Sequence, residues 1–345
     1  MGTVTETLDE TFAFYRCHVC GLPHEHVPGV KRRCVFGSEG PEEAVDAPAP
    51  SAIGRRVLGE RYRIERTVGE GAAGVVYACT DLRLERLVAV KLGPPIEASP
   101  SQHRRFLREA RTMAEVSDPG TIVVYDFGVL PDTGQAFIAM ELLRGETLGQ
   151  RMERPMSLAF VRDVVAELLL ILGAFHDRGL VHRDLKPDNV FLSDANPGEL
   201  TVKILDFGLA RHADERDKVS AGNDVLGTPA YMAPEQVWGS GEIDARTDLF
   251  AIGSVLFELL TGQDPIEPRP REPLLNFLRR AATEPRPSLS AHRPDLPEEL
   301  AGVVATATRL DPAERFPDAR IFLRAFIDAL GGEASLQDSS SWRIS

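Results

Sequence analysis

The sequence predicts an α+β chain, strand-rich toward its N-terminus and helical after it. Short β-branched runs broken by glycine recur between residues 61 and 92, the pattern of antiparallel strands of about five or six residues. Past residue 147 apolar side chains fall at helical spacing instead. With 345 residues, 43% of them hydrophobic and 26% charged, the chain has the composition of an ordinary globular protein and the length for one two-lobed unit or two domains.

In chain order, residues 1–37 carry cysteine and histidine, and 38–57, rich in Pro, Ala, Glu and Gly, read as a flexible linker. "RYRIERTV", "GVVYACTD" and "RLVAVKL" are strands. "SQHRRFLREARTMAEV" (101–116) places Phe106, Ala110 and Met113 on one helical face. Strand signal returns at "TIVVYDFGVL" and "QAFIAMELL". Ser157 is placed to cap a helix whose Leu158, Val161, Val165, Leu168, Leu169 and Leu172 predict burial nearly all round. A further helix starts near Thr247 and ends at Gly262 in a left-handed residue. The tail 331–345 is Ser-rich and expected to be mobile.

A formal charge of −13 works against nucleic acid or anionic lipid as a partner, because both attractions need clustered Lys and Arg. No apolar stretch is long enough to cross a bilayer and the N-terminus lacks an export pattern, so the expected compartment is the cytosol. The four cysteines there favour metal binding or burial over disulfides.

The chemistry begins at "VGEGAAGVVY", spanning Val68, Gly69, Glu70, Gly71, Ala72, Ala73, Gly74, Val75 and Val76. A GxGxxG alone fits a dinucleotide fold equally well. Strand signal on both sides decides for a hairpin that lays backbone N–H groups over phosphates, where a Cβ would block the approach. In "LVAVKL" alternation puts Ala89 and Lys91 on one sheet face, and an inward Lys needs a carboxylate partner, for which Glu109 is the candidate. "HRDLKPDN" (182–189) then crowds ionisable groups behind a buried helix. Phosphoryl transfer to a hydroxyl needs a carboxylate to take its proton, a cation on the transferred group and oxygen ligands for Mg2+ on separate segments. Asp184, Lys186, Asn189 and Asp206 meet that list, provided a hairpin of "VFL" and "LTVKIL" returns Asp206 beside Asn189.

With GEGAAGVV, AVK, Glu109, HRDLKPDN, DFG (206–208), APE (233–235), Asp248 and Arg315 in order, the chain resembles a eukaryotic-like serine/threonine protein kinase, most closely the bacterial members. The resemblance covers about 58–330 and implies the bilobal kinase fold, with a β-rich N-lobe (about 58–143), a helical C-lobe (about 144–330) and ATP between them. It implies Asp184 as catalytic base, Lys186 beside the γ-phosphate, and Asn189 and Asp206 as ligands of Mg2+, for which Mn2+ is a substitute. Met140 is then the gatekeeper, with Glu141 and Leu143 offering backbone groups to adenine, and Val68 to Val76, Ala89 and Lys91 lining the nucleotide. His182 and Phe207 resemble lobe-joining spine residues, Glu235 is expected to pair with Arg315, Asp248 to brace the catalytic loop, and Thr228 to bond near Asp184. Lys186 and "GTPAYMAPE" imply Ser or Thr acceptors on protein substrates, including this chain's own Ser51, Ser220 or Ser339 to Ser341.

Arg183 resembles the family's sign of control by a loop phosphate, yet Ser220 is the one hydroxyl between Gly208 and Gly227. An acidic side chain among Asp214, Glu215, Asp217 and Asp224 is the proposed substitute. Cys17, Cys20 and Gly21 form half a zinc knuckle that His24 or His26 and Cys34 would complete, against the reading of an unliganded segment with free thiols. Cys79, within a predicted strand, is read as a small core residue. Two other function classes compete with the enzyme: a catalytically silent kinase-like nucleotide-binding scaffold, and a small-molecule phosphotransferase. The substrate, the upstream signal and the oligomeric state have no signature here.

Overall fold

The computed structural model describes residues 13–16, 23–26, 57–71, 74–96, 99–116, 118–196, 199–205, 229–239, 243–270 and 272–331. Two short strands, β1 (Ala13–Arg16) and β2 (Pro23–His26), pair antiparallel with Arg16 opposite Pro23. The main sheet comprises β3 (Val57–Leu58), β4 (Tyr62–Gly71), β5 (Gly74–Asp81), β6 (Arg86–Pro95), β7 (Val124–Val129) and β8 (Gln135–Met140). It is antiparallel in the order β3-β4-β5-β6-β8-β7. Val57, assigned by its sequence to the linker, pairs with Arg63 as the first strand residue.

Alternation along β6 sorts its side chains between two cores. Val88 and Val90 join Leu58, Tyr62, Ile64, Cys79, Leu130 and Ala139 within the N-lobe, so Cys79 is a core residue. Ala89 faces the other way, onto helix α1 (Pro100–Glu115). That helix buries His103, Phe106, Ala110 and Met113 on a single face, the period the sequence carries. A Cβ on Gly93 would lie 2.7 Å from the Phe106 ring, so glycine sets how closely α1 approaches the sheet.

Below the sheet, β9 (Gly145–Thr147) leads into α2 (Leu148–Met152), and the Ser157 hydroxyl accepts from Phe160 N to cap α3 (Leu158–His176). A second sheet, ordered β11-β10-β9, contains the hairpin of β10 (Val190–Asn196) and β11 (Glu199–Ile204). Then follow α4 (Pro234–Trp238), α5 (Ala245–Thr261), α6 (Leu274–Thr283), α7 (Leu289–His292), α8 (Glu298–Ala307) and α9 (Ala319–Ala329). Asp244 caps α5 through Arg246 N at 2.8 Å, and Gly262, at φ +68°, ends it. Apart from Ala245, Arg246, Glu258 and Thr261, α5 is buried, as its apolar composition requires.

The base of the C-lobe is fixed by a buried ion pair. Arg315 places Nη1 and Nη2 on Glu235 Oε1 and Oε2 at 2.7 and 2.8 Å. Its remaining N–H groups reach the carbonyls of Arg309, Leu310 and Arg246, so the guanidinium is fully hydrogen-bonded, as burial demands. The same cation lies 4.7 Å from the Phe250 ring, shared with Arg286 at 4.9 Å. Burial first, and the charge of Arg315 second, push Arg286 down to about 10.

Because Arg315→Met leaves Glu235 buried without its cation, denaturant unfolding of that variant is expected to show a loss of about 3–5 kcal/mol. A loss under about 1 kcal/mol, the scale of a surface pair, would contradict the assignment.

Candidate active site

The glycine-rich segment is the hairpin between β4 and β5, with Gly69 opposite Val76, Glu70 opposite Val75 and Gly71 opposite Gly74. Ala72 and Ala73 lie outside the described residues. Gly74 needs glycine for a reason the sequence did not disclose: its φ is +117°, and a Cβ there would meet the Leu92 carbonyl oxygen at 2.1 Å. At Gly69, by contrast, an added Cβ meets nothing within 4 Å. Val68 is 46% exposed, whereas Val76 packs against the core that also holds Ala89.

Lys91 pairs with Val76 on one side and Ile138 on the other, in the middle of the sheet. Its side chain is 5% exposed and its Nζ lies 4.0 Å from Glu109 Oε1 on α1. Strand and helix thus bring together two charges that neither element would bury alone. Met140, 5% exposed, ends β8 opposite Ala89.

Glu141 follows at the junction of the lobes, and its backbone N–H is committed to the Val123 carbonyl at 2.9 Å. Among the described residues, the Glu141 carbonyl and both backbone groups of Leu143 make no backbone hydrogen bond. The Glu141 side chain has a role the sequence did not reveal. Its Oε1 accepts from Lys203 Nζ at 2.6 Å and from Val123 N at 2.8 Å, while Lys203 also donates to the Thr121 carbonyl at 2.9 Å. Lys203 sits on β11, so this pair ties the junction to the C-lobe hairpin.

The catalytic loop hangs from α5. Asp248 Oδ2 and Oδ1 accept from the backbone N–H groups of His182 and Arg183, both at 2.8 Å, and His176 Nε2 lies 2.9 Å from Oδ2. Arg183 takes φ +70°, unusual for a residue with a Cβ. Asp184 N donates to His182 Nδ1 at 3.2 Å, which leaves His182 Nε2 to donate to the Leu205 carbonyl at 2.9 Å. Lys186 precedes a short 3-10 turn, Pro187–Asn189. Asn189 Nδ2 donates to the Asp184 carbonyl at 2.7 Å and to Asp184 Oδ2 at 3.2 Å.

The donor set suits a hard cation. With Nδ2 turned to Asp184, Asn189 has Oδ1 left to face a metal, and carboxylate and amide oxygens are the ligands magnesium takes. Leu205 N donates to the Asn189 carbonyl at 2.8 Å, so the β10–β11 hairpin returns the chain to Asn189. Asp206 itself lies outside the described residues, as do Phe207, Ser220, the loop acids and Thr228. Cys17, Cys20 and Cys34 are likewise outside them, while His24 and His26 belong to β2.

Beside the loop, Tyr231 donates its hydroxyl to Glu258 on α5. Burial, reinforced by Asp264 and Asp188, pushes Glu258 up to about 7, and burial likewise raises Tyr231.

Across residues 62–326 the chain matches the protein kinase domain family. Serine/threonine-protein kinase pkn3 of Myxococcus xanthus is 34% identical over 296 residues, which cover 84% of this chain and 53% of that protein. Serine/threonine-protein kinase PknL of Mycobacterium tuberculosis is 35% identical over 297 residues, covering 85% of this chain and 71% of PknL. The chain thus spans about half the length of pkn3. The crystal structure of the Mycobacterium tuberculosis PknI kinase domain aligns with a TM-score of 0.62 at 29% identity, covering 81% of this chain and 99% of that one.

The raised Glu258 predicts a pH signature. The folded state holds this proton more tightly than the unfolded chain, whose ordinary value is 4.5. The resulting stabilisation is complete below about pH 4.5 and is lost as pH rises through about 7. Glu258→Gln keeps an acceptor for Tyr231 and removes the titration, so its melting temperature is expected to fall less steeply than wild type between about pH 5 and 8. Parallel curves would refute the assignment.

Proposed function

The chain belongs to the protein kinase domain family, and from that premise we propose that it transfers the γ-phosphoryl group of Mg-ATP to Ser or Thr hydroxyls of proteins, itself included, in bacterial-type signalling. The observation that carries this reading is the Asp184–Asn189 pair on a loop fixed through backbone bonds to a buried carboxylate, in a chain that also pairs a buried Lys91 with Glu109.

Asp184 orients the acceptor hydroxyl and takes its proton as the bond from that oxygen to the γ-phosphorus forms and the bond from the γ-phosphorus to the β–γ bridging oxygen breaks, with ADP as the leaving group. Asn189 Oδ1 and Asp206 would hold the magnesium ion, which supplies charge neutralisation between the phosphates. Lys91, kept in place by Glu109, binds phosphate oxygens of the nucleotide, and the β4–β5 hairpin covers them with backbone N–H groups. Lys186 stays with the transferred group. The Glu141 carbonyl and the Leu143 backbone are free to bind the adenine edge beneath Met140. Ser and Thr specificity is supported by the similarity to pkn3 and PknL, which are serine/threonine-protein kinases. We place the catalytic body in the cytosol, where its nucleotide is. The presence of Lys91, Asp184 and Asn189 supports the enzyme over a silent scaffold.

Incubation with labelled ATP is expected to label Ser or Thr of a protein acceptor or of the chain itself, and Asp184→Asn to lower the rate about 10²- to 10⁴-fold. An Asp184→Asn variant with wild-type turnover would defeat the reading.

Structural zinc on Cys17, Cys20, Cys34 and either His24 or His26 is a separate proposal. Its support is the β1–β2 register, which makes residues 17–22 the connection between two paired strands, together with the Cys and His donors zinc prefers. Metal analysis of the purified full chain is expected to find about one zinc per molecule, lost in Cys17→Ser. A zinc-free wild type would dismiss it.

A further inference from the structure

The reading just given leaves Gln236, on α4, without a task, although its amide reaches the catalytic loop. Gln236 Nε2 donates to the Arg183 carbonyl at 2.7 Å, and Gln236 Oε1 accepts from Ala233 N at 3.0 Å. The orientation of that amide is settled by its partners. Turned over, it would set oxygen against a carbonyl and nitrogen against an N–H.

The bonded carbonyl belongs to the peptide plane joining Arg183 to Asp184. Both ends of that plane are held, the oxygen by Gln236 and the nitrogen by His182 Nδ1 at 3.2 Å. The residue in front of the plane has φ +70°, a conformation that a side chain with a Cβ keeps only where its surroundings enforce it. Asp248 enforces it from the N–H side. Without Gln236, nothing among the described hydrogen bonds fixes the carbonyl side. Rotation of the plane would swing the Cα–Cβ bond of Asp184 away from the acceptor hydroxyl.

We propose that Gln236 is a positioning residue for phosphoryl transfer, holding the Arg183 carbonyl so that the Asp184 carboxylate is presented to the acceptor. The proposal rests on the kinase reading. It also joins α4 to the catalytic loop, so that the base and the segment before it move together.

The test uses Gln236→Glu in the full chain, which keeps the size of the side chain and an acceptor for Ala233 N. Ionised, its second oxygen faces the Arg183 carbonyl and repels it. Protonated, it donates as the amide does. The turnover of Gln236→Glu relative to wild type is therefore expected to fall about 10- to 100-fold at neutral and higher pH, the scale of a small misplacement of a catalytic group. The ratio should recover as pH falls through the pKa of the new carboxyl, with KM for ATP unchanged. The ionisable groups lining the same cavity are Arg183, Asp184, Lys186, Tyr231 and Asp248. Gln236→Leu adds no charge among them and is the control for the new carboxyl.

Gln236→Leu is expected to lose turnover equally at every pH. A merely structural role would lower the melting temperature of both variants and leave the turnover ratio flat across pH. That result, or wild-type turnover in Gln236→Leu, would overturn the proposal while the kinase reading stood. A wild-type chain that transfers no phosphate would remove both.

Discussion

One buried carboxylate carries the site. Asp248 is 1% exposed, and a charge so far from water is tolerable only when its lone pairs are filled. They are filled by the backbone of His182 and Arg183 and by the imidazole of His176. The carboxylate thereby dictates the path of the chain just before Asp184. The two backbone N–H groups would themselves be costly to bury unpaired, so the loop and α5 each need the other. The left-handed Arg183 is the visible strain of that arrangement, and it falls one residue from the group that faces the chemistry.

The helix that bears Asp248 acts as a ruler for everything near it. Thr247 donates to Glu235 at 2.9 Å, which fixes α4 and with it Gln236. Phe250 lies under Arg315 and Arg286, and Arg286 reaches back to the carbonyls of Ala230 and Met232. Glu258 holds the Tyr231 hydroxyl. Successive turns of one buried rod thus position the catalytic loop, the segment entering α4 and the floor of the lobe. A rigid element spaced at 1.5 Å per residue does this better than loops can, because its side chains keep their relative heights.

Much of this was legible in the sequence. β5 begins and ends where the run GVVYACTD does, α3 starts after its cap Ser157, and α5 ends at Gly262 as read, although it begins at Ala245 behind Asp244 and not near Thr247. Those elements are strongly periodic and bounded by local chemistry, so neighbours in sequence suffice to define them. Glu109 was legible as the carboxylate that an inward Lys91 requires, whereas the partners of Arg315 and Asp248 came only through the kinase resemblance, because their separations along the chain are long. What stayed hidden was set by contacts between distant segments. The Glu141–Lys203 pair needs β11 to return beneath the lobe junction, and nothing near either residue announces that meeting. Gly74 looked like a phosphate-approach glycine, and the Leu92 carbonyl that constrains it lies on another strand. The β1–β2 hairpin rests on strands of four residues, too short for alternation to stand out.

The two lobes are joined with unequal stiffness. On the side of Thr121, Ile204 forms a parallel bridge with Thr121 and its N–H donates to the Gly120 carbonyl at 2.8 Å. A Cβ on Gly120 would lie 2.4 Å from Ile171 of α3, so this loop is packed against the C-lobe as well as bonded to it. The Glu141–Lys203–Thr121 network adds a charge-assisted lock at the same seam. Lobe movement that opens or closes the cleft must then pivot about this seam, because it is the bonded edge. Lys91 and Glu109 stand on a strand and a helix of the same lobe, so a rotation about the seam carries the pair, with its 4.0 Å separation, as one unit.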